Sequence, residues 1–171
     1  IPKAALAAKD GRILAVGPRA EVLAQVASGP DTVKVDASDH GVLPGLVDPH
    51  THPVFAGQRS REYALKIEGA SYQEIAEAVG GIRSTMGHTR AASDEALLEG
   101  SFRRLERFLS FGVTTIEAKS GYSLDLEGEL RMLRVISRLD GIHPVDLCPT
   151  LLAAHVVPPE HKENRRAYVD L

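Results

Sequence analysis

Two histidines separated by one residue, His50 and His52, follow an apolar run from Val42 to Val47. If that run is a strand, alternate side chains share a face, so both imidazoles point one way while Thr51 points the other. Two neutral imidazoles on one face supply half of a four-ligand divalent-metal site. A chance pair on an exposed strand is the plainer account of the same residues. Their position weighs against it, because a Pro44-Gly45 turn precedes the run and a loop follows. The histidines then fall at a strand's carboxyl end, where open α/β sheets and barrels keep their chemistry. Zinc, iron or nickel would suit two imidazoles. A catalytic site of that kind needs three or four protein ligands and an open position for water.

Among the other histidines, His155 is the best placed, directly after an apolar run; His40, His88, His143 and His161 read as solvated surface residues. Lys119 could be carboxylated to bridge two metals, but pairing with Glu117 or binding substrate is the simpler role. Arg59, seven residues beyond His52, is either a bidentate clamp for a carboxylate or a surface arginine. Tyr72 and Tyr122 could each donate a hydroxyl hydrogen bond to substrate, with aromatic packing the competing role, favoured for Tyr72. Arg103, Arg104 and Arg107 read as a solvated helix face. Gly80-Gly81 lacks the strand-turn-helix context and the Lys-Ser/Thr pair of a phosphate loop.

The elements that must position these groups come in two styles. Residues 4–16 form two short apolar runs joined by Asp10-Gly11, a hairpin signal. Arg19 to Ala27 reads as a short helix and Thr32 to Val35 as a further strand. Residues 1–40 are therefore expected to be part of a small β-rich, sandwich-like module, too small to hold a core alone. From 41 to 171 the pattern becomes strand, long connection, then alternating helices and strands. Helices are expected at Ser71–Val79, at Asp94–Leu109 (N-cap Ser93; inward Leu98, Phe102, Leu105 and Leu109) and at Leu126–Leu139 (inward Leu126, Leu130, Leu133 and Ile136). Strands are expected at Val113–Ala118 and Val145–Ala154, with a charged helix opening at Pro158-Pro159. Near-continuous apolar strands alternating with amphipathic helices predict an α/β fold, its parallel sheet covered on both faces. The first units of a (β/α)8 TIM-type barrel fit better than an open sheet, because each strand ends in reactive residues that a barrel gathers on one rim.

Composition sets the outer limits. The 171 residues are 43% hydrophobic and 25% charged with a net charge of -3, and they show no basic stripe for nucleic acid. One cysteine, Cys148, excludes an intrachain disulfide framework and suggests a reducing, cytoplasmic setting. No apolar run approaches the roughly 18 residues of a membrane span. The chain opens on Ile1 rather than Met and stops at Leu171 inside a helical pattern, so a fragment of a longer protein is expected. Three barrel units cannot close, so an open edge favours association, possible homodimerisation included.

Pro44-Gly45-Leu46-Val47-Asp48-Pro49-His50-Thr51-His52 resembles the first-strand metal motif of the amidohydrolase superfamily. Val54-Phe55-Ala56-Gly57-Gln58-Arg59, Gly69-Ala70-Ser71-Tyr72, Gly112-Val113-Thr114-Thr115, Lys119-Ser120-Gly121-Tyr122 and Ala154-His155 together resemble the imidazolonepropionase family within it. The match runs nearly the whole chain in order; Ala118 and Ser123 stand where Val and Gly are expected. The resemblance implies one divalent ion, zinc or iron, held by His50 and His52. It implies hydrolysis of the cyclic amide 4-imidazolone-5-propanoate to N-formimidoyl-L-glutamate in histidine degradation. Arg59 would hold the propionate, Tyr122 and Tyr72 would contact substrate, and His155 would act at the ring carbonyl. The remaining ligands and the carboxylate base would lie beyond Leu171, leaving this stretch inactive alone. The alternatives are another amidohydrolase, dihydroorotase-like or deaminase-like, and a non-catalytic chain with an incomplete site.

Overall fold

The computed structural model describes residue 1 and residues 3–71, 73–75 and 80–171. Most of the helix expected at Ser71–Val79 lies outside the described residues, as does Tyr72; residues 73–75 are helical. The chain divides into two compact units, Ile1–Leu43 and Pro44–Leu171.

In the first unit, β1 (Ala4–Lys9) and β2 (Arg12–Pro18) form an antiparallel hairpin with a register irregularity between Ala7 and Ala8. Asp10 and Gly11 both have positive φ, 51° and 71°, the backbone a type I′ turn demands. α1 (Arg19–Gln25) follows, and its Val22 is buried. The strand expected at Thr32–Val35 does not form: the stretch has no ladder partner, and Val33 and Val35 are exposed.

The second unit is α/β. Its three strands, β3 (Leu46–Thr51), β4 (Val113–Lys119) and β5 (Asp146–Thr150), make a parallel sheet in the order β3-β4-β5. Between β3 and β4 come α2 (Ser60–Ile67), α3 (Ile82–Ala91) and α4 (Asp94–Ser110); α5 (Leu126–Asp140) joins β4 to β5. A 3-10 turn at Pro159–His161 and α6 (Arg165–Val169) stand where one charged helix was expected. β3 starts later than its apolar run, because Gly45 lies against Thr114, where a Cβ would come within 2.0 Å of Oγ1.

Local rules explain the two long helices. Ser93 accepts from the Ala96 N–H and Asp125 from the Gly128 N–H, each capping a first turn that carries acidic residues. α4 buries the expected stripe together with a neighbouring one, and α5 buries only the later half of its expected stripe. On α4 the fully buried positions are Leu97, Ser101 and Leu105, with Leu98, Phe102 and Leu109 at the flank. On α5 they are Met132, Val135, Ile136 and Leu139, while Leu126 and Leu130 face out. These side chains meet Ile116, Ala118, Val145 and Leu147 in one core, each full burial contributing about 1.5–3 kcal/mol. The expected cover on both faces is not seen among the described residues. The helices cover the face of Ile116 and Ala118, and the alternating residues Glu117 and Lys119 form a polar row on the other.

The start of α5 makes one position unusually intolerant. A Cβ at Gly128 would meet Ser123 Oγ at 1.7 Å and Ser123 Cβ at 2.5 Å. Gly→Ala inside a helix ordinarily stabilises by roughly 0.5–1 kcal/mol. Here overpacking reverses the sign, and Gly128→Ala is expected to destabilise by about 1–3 kcal/mol in urea unfolding. Ser123→Gly should recover most of that loss in the double variant, which an unrelated helix defect would not do.

Candidate active site

The carboxyl ends of the three strands bring four of the expected residues together. His50 is the fifth residue of β3 and His52 stands just past its end; Tyr122 lies in the loop after β4 and His155 in the loop after β5. The His50 and His52 ring centroids are 6.3 Å apart. The His52 ring packs 4.7 Å from Tyr122 and 5.0 Å, edge-on, from His155, and Tyr122 lies 5.9 Å from His155. The His52 pKa is pushed down, first by burial and then by the neighbouring His155, against an upward pull from a hydrogen bond to the Ser120 backbone, with smaller downward contributions from His50 and Lys119. At neutral pH the ring is therefore neutral, the form a metal ligand requires. Because the folded pKa is lowered, the stability linked to this ring is present above the unfolded value and is lost as pH falls through the folded one.

His52 Nδ1 is buried without a hydrogen-bond partner among the described residues. An orphaned imidazole nitrogen beside a second imidazole from the same strand fits two positions of a metal's ligand set. Among the described residues no group of three or more His, Cys, Asp or Glu side chains is placed to hold an ion, so the fit extends to those two.

The polar row beside the rings is already paired. Lys119 Nζ donates to Glu117 Oε1 at 2.6 Å and Thr150 Oγ1 donates to the same oxygen at 2.8 Å. These two bonds hold the Glu117 carboxyl below the usual range. Lys119 is thus Glu117's partner, the simpler of its two expected roles.

Arg59 caps the start of α2, where Nε donates to Glu62 Oε2 at 2.6 Å and a second guanidinium nitrogen pairs with the same carboxylate. Its side chain is partly exposed. Gly57, at φ 78°, shapes the loop that leads to it, with His88 packed where a Cβ would stand.

The loops that carry Tyr122 and His155 are joined. Ser120 N–H donates to Thr150 O, and the Leu152 N–H donates to Ser120 Oγ, both at 3.0 Å. Gly121, at φ 115°, lets the chain pass so close that a Cβ would sit 3.2 Å from His155 Cβ. From α3, Arg90 donates to Ser123 O at 2.6 Å and reaches Asp125 and Glu160.

Two residues depart from the solvated roles expected of them. His143 is buried: its Nδ1 accepts from the Val145 N–H at 3.1 Å, which leaves Nε2 to donate to Glu106 at 3.0 Å. The turn into β5 needs that acceptor, so the ring is pulled inward. Arg104 stacks 3.6 Å over Phe55 and donates to the carbonyls of Pro53 and Phe55, tying α4 to the segment just beyond His52. Cys148, in an apolar run, is exposed on β5. Glu129 had no expected role and is 1% exposed. Its signal was a charge standing between Gly128 and Met132 on a face otherwise spaced as core.

The fold and these rings define an α/β protein whose parallel strands deliver imidazoles and a tyrosine to one rim. No family model matches the chain. The imidazolonepropionase of Symbiobacterium thermophilum is 53% identical over 171 residues, covering 100% of this chain and 40% of the relative. That of Myxococcus xanthus is 53% identical over 170 residues, 99% of this chain and 40% of the relative. That of Geobacillus kaustophilus is 49% identical over 164 residues, 95% and 39%. The chain spans about 40% of the length of the curated relatives it matches, and it belongs to the imidazolonepropionase family. No helix among the described residues is long and apolar enough to cross a membrane.

Proposed function

We propose that this chain is the part of an imidazolonepropionase that supplies two metal ligands and most of the substrate contacts for hydrolysis of 4-imidazolone-5-propanoate to N-formimidoyl-L-glutamate. The observation that carries this reading is the convergence of His50, His52, Tyr122 and His155 from three strand ends, in a chain whose relatives bear that name. The three parallel strands and their helices are the first units of a (β/α)8 barrel, and the Ile1–Leu43 hairpin unit belongs to a small sandwich-like module. The edges of β3 and β5 are where further strands pair. The working setting is the cytoplasm.

His50 and His52 would hold one divalent ion, zinc or iron. When bound, such an ion lowers the pKa of a water molecule to about 7 and so makes hydroxide available at neutral pH. The chain's own residues do the rest of what can be assigned here. Arg59, oriented by Glu62, takes the propionate through its guanidinium. The Tyr122 hydroxyl donates to substrate. An N–H of His155 donates to the ring carbonyl oxygen as negative charge develops on it, where a preorganised donor counts most.

The direct test is conversion of 4-imidazolone-5-propanoate by the full-length protein, with N-formimidoyl-L-glutamate as product. Arg59 separates this substrate from the neutral bases of deaminase-like relatives, which carry no carboxylate to clamp. Arg59→Ala should raise KM for the imidazolone acid at least about tenfold, or about 1.4 kcal/mol, with a smaller change in kcat. An unchanged KM would remove Arg59 from the site.

A further inference from the structure

A buried carboxylate lies one helical step from the candidate site without touching it. Glu129 Oε2 accepts from the Gly121 N–H at 2.6 Å; Oε1 accepts from the N–H groups of Ser123 at 2.8 Å and Leu124 at 2.7 Å. Charge is kept out of a core unless it is fully hydrogen-bonded, and three charge-assisted bonds meet that condition here.

The donors all belong to the loop after β4, which holds one residue in a disfavoured backbone region. Gly121 takes φ 115° without side-chain cost, but Leu124, which carries a bulky side chain, has φ 60°. Such a loop relaxes unless its surroundings over-determine it. Tyr122 sits between two of the captured amides, so fixing the N–H groups on either side fixes the direction of its Cα–Cβ bond. That direction brings its ring 4.7 Å from His52 and 5.9 Å from His155.

We propose that Glu129 is the positioning residue for Tyr122, holding the β4 loop in the one shape that presents this side chain to the substrate. The inference rests on the substrate role given to Tyr122 above, and its test separates the two.

Glu129→Gln in the full-length protein keeps the side chain's shape but turns one acceptor oxygen into an NH2 donor. Either the Gly121 amide or the Ser123 and Leu124 pair then faces a donor. Hydrogen exchange at Gly121, Ser123 and Leu124 should quicken at least about tenfold while β4 and α5 keep their protection. A crystal structure of the variant should show the Tyr122 ring displaced from His52. KM for the imidazolone acid should rise about tenfold, and Tyr122→Phe added to Glu129→Gln should cost little more, since the two act as a unit. Unchanged exchange, an unmoved ring, or additive effects of the two substitutions would each overturn the proposal. Should Glu129→Gln not fold, the wild-type protein decides: its three loop amides must be protected well beyond exposed amides, and rapid exchange there refutes the carboxylate clamp. A wild-type protein that does not hydrolyse the imidazolone acid defeats the proposed function instead, and leaves the exchange and ring-position results to judge the clamp alone.

Discussion

If His50 and His52 hold the proposed ion, the full-length parent is expected to purify with about one zinc or iron per chain and His52→Ala with well below one. Loss of even an outer-shell partner weakens metal binding roughly 10–100-fold, so loss of a direct ligand should cost at least about 100-fold. Turnover should fall with it. The ring's surroundings make it the better of the two histidines to test: it is kept neutral by burial, and its Nδ1 has no other partner among the described residues. Melting of the metal-free forms controls for packing, because His52 also contacts Tyr122 and His155. An alanine variant with full metal content would show that these imidazoles are structural, and the hydrolase reading would go with them.

The second large effect belongs to His155. His155→Ala should lower kcat about 100- to 1,000-fold with metal content intact and KM little changed, the pattern of a donor that matters chiefly in the transition state. A variant that loses its metal would instead make His155 a ligand. The two outcomes are distinguished by one metal analysis.

Much of this site was legible from residue order. His-x-His after an apolar run, a Pro-Gly turn before it, and a histidine after the last apolar run each carry a local signal, and the strand ends did converge. Helix caps were equally readable, as Ser93 shows. What escaped was anything decided by a partner distant in sequence. Leucine spacing found the core side of α4 but not Leu97 and Ser101 beside it, and it turned Leu126 and Leu130 of α5 inward where they face out, because the extent of a buried stripe depends on what packs against it. His143 was misjudged for the same reason: its carboxylate partner Glu106 lies 37 residues away on a helix that only folding brings near. Glu129 was hidden because its three partners are backbone amides, which leave no trace in composition. The strand expected at Thr32–Val35 had β propensity and no neighbour, which is not enough to form one.

Gly121 and Ser120 give the rim a property that neither loop has alone. With Ser120 bonded at both its N–H and its hydroxyl to the chain around β5, and Gly121 pressed against His155, the second and third loops are a single mechanical part. A transplanted β4 loop that carries a side chain at position 121 would crowd a histidine it never replaced, so the two loops must be exchanged as a matched pair.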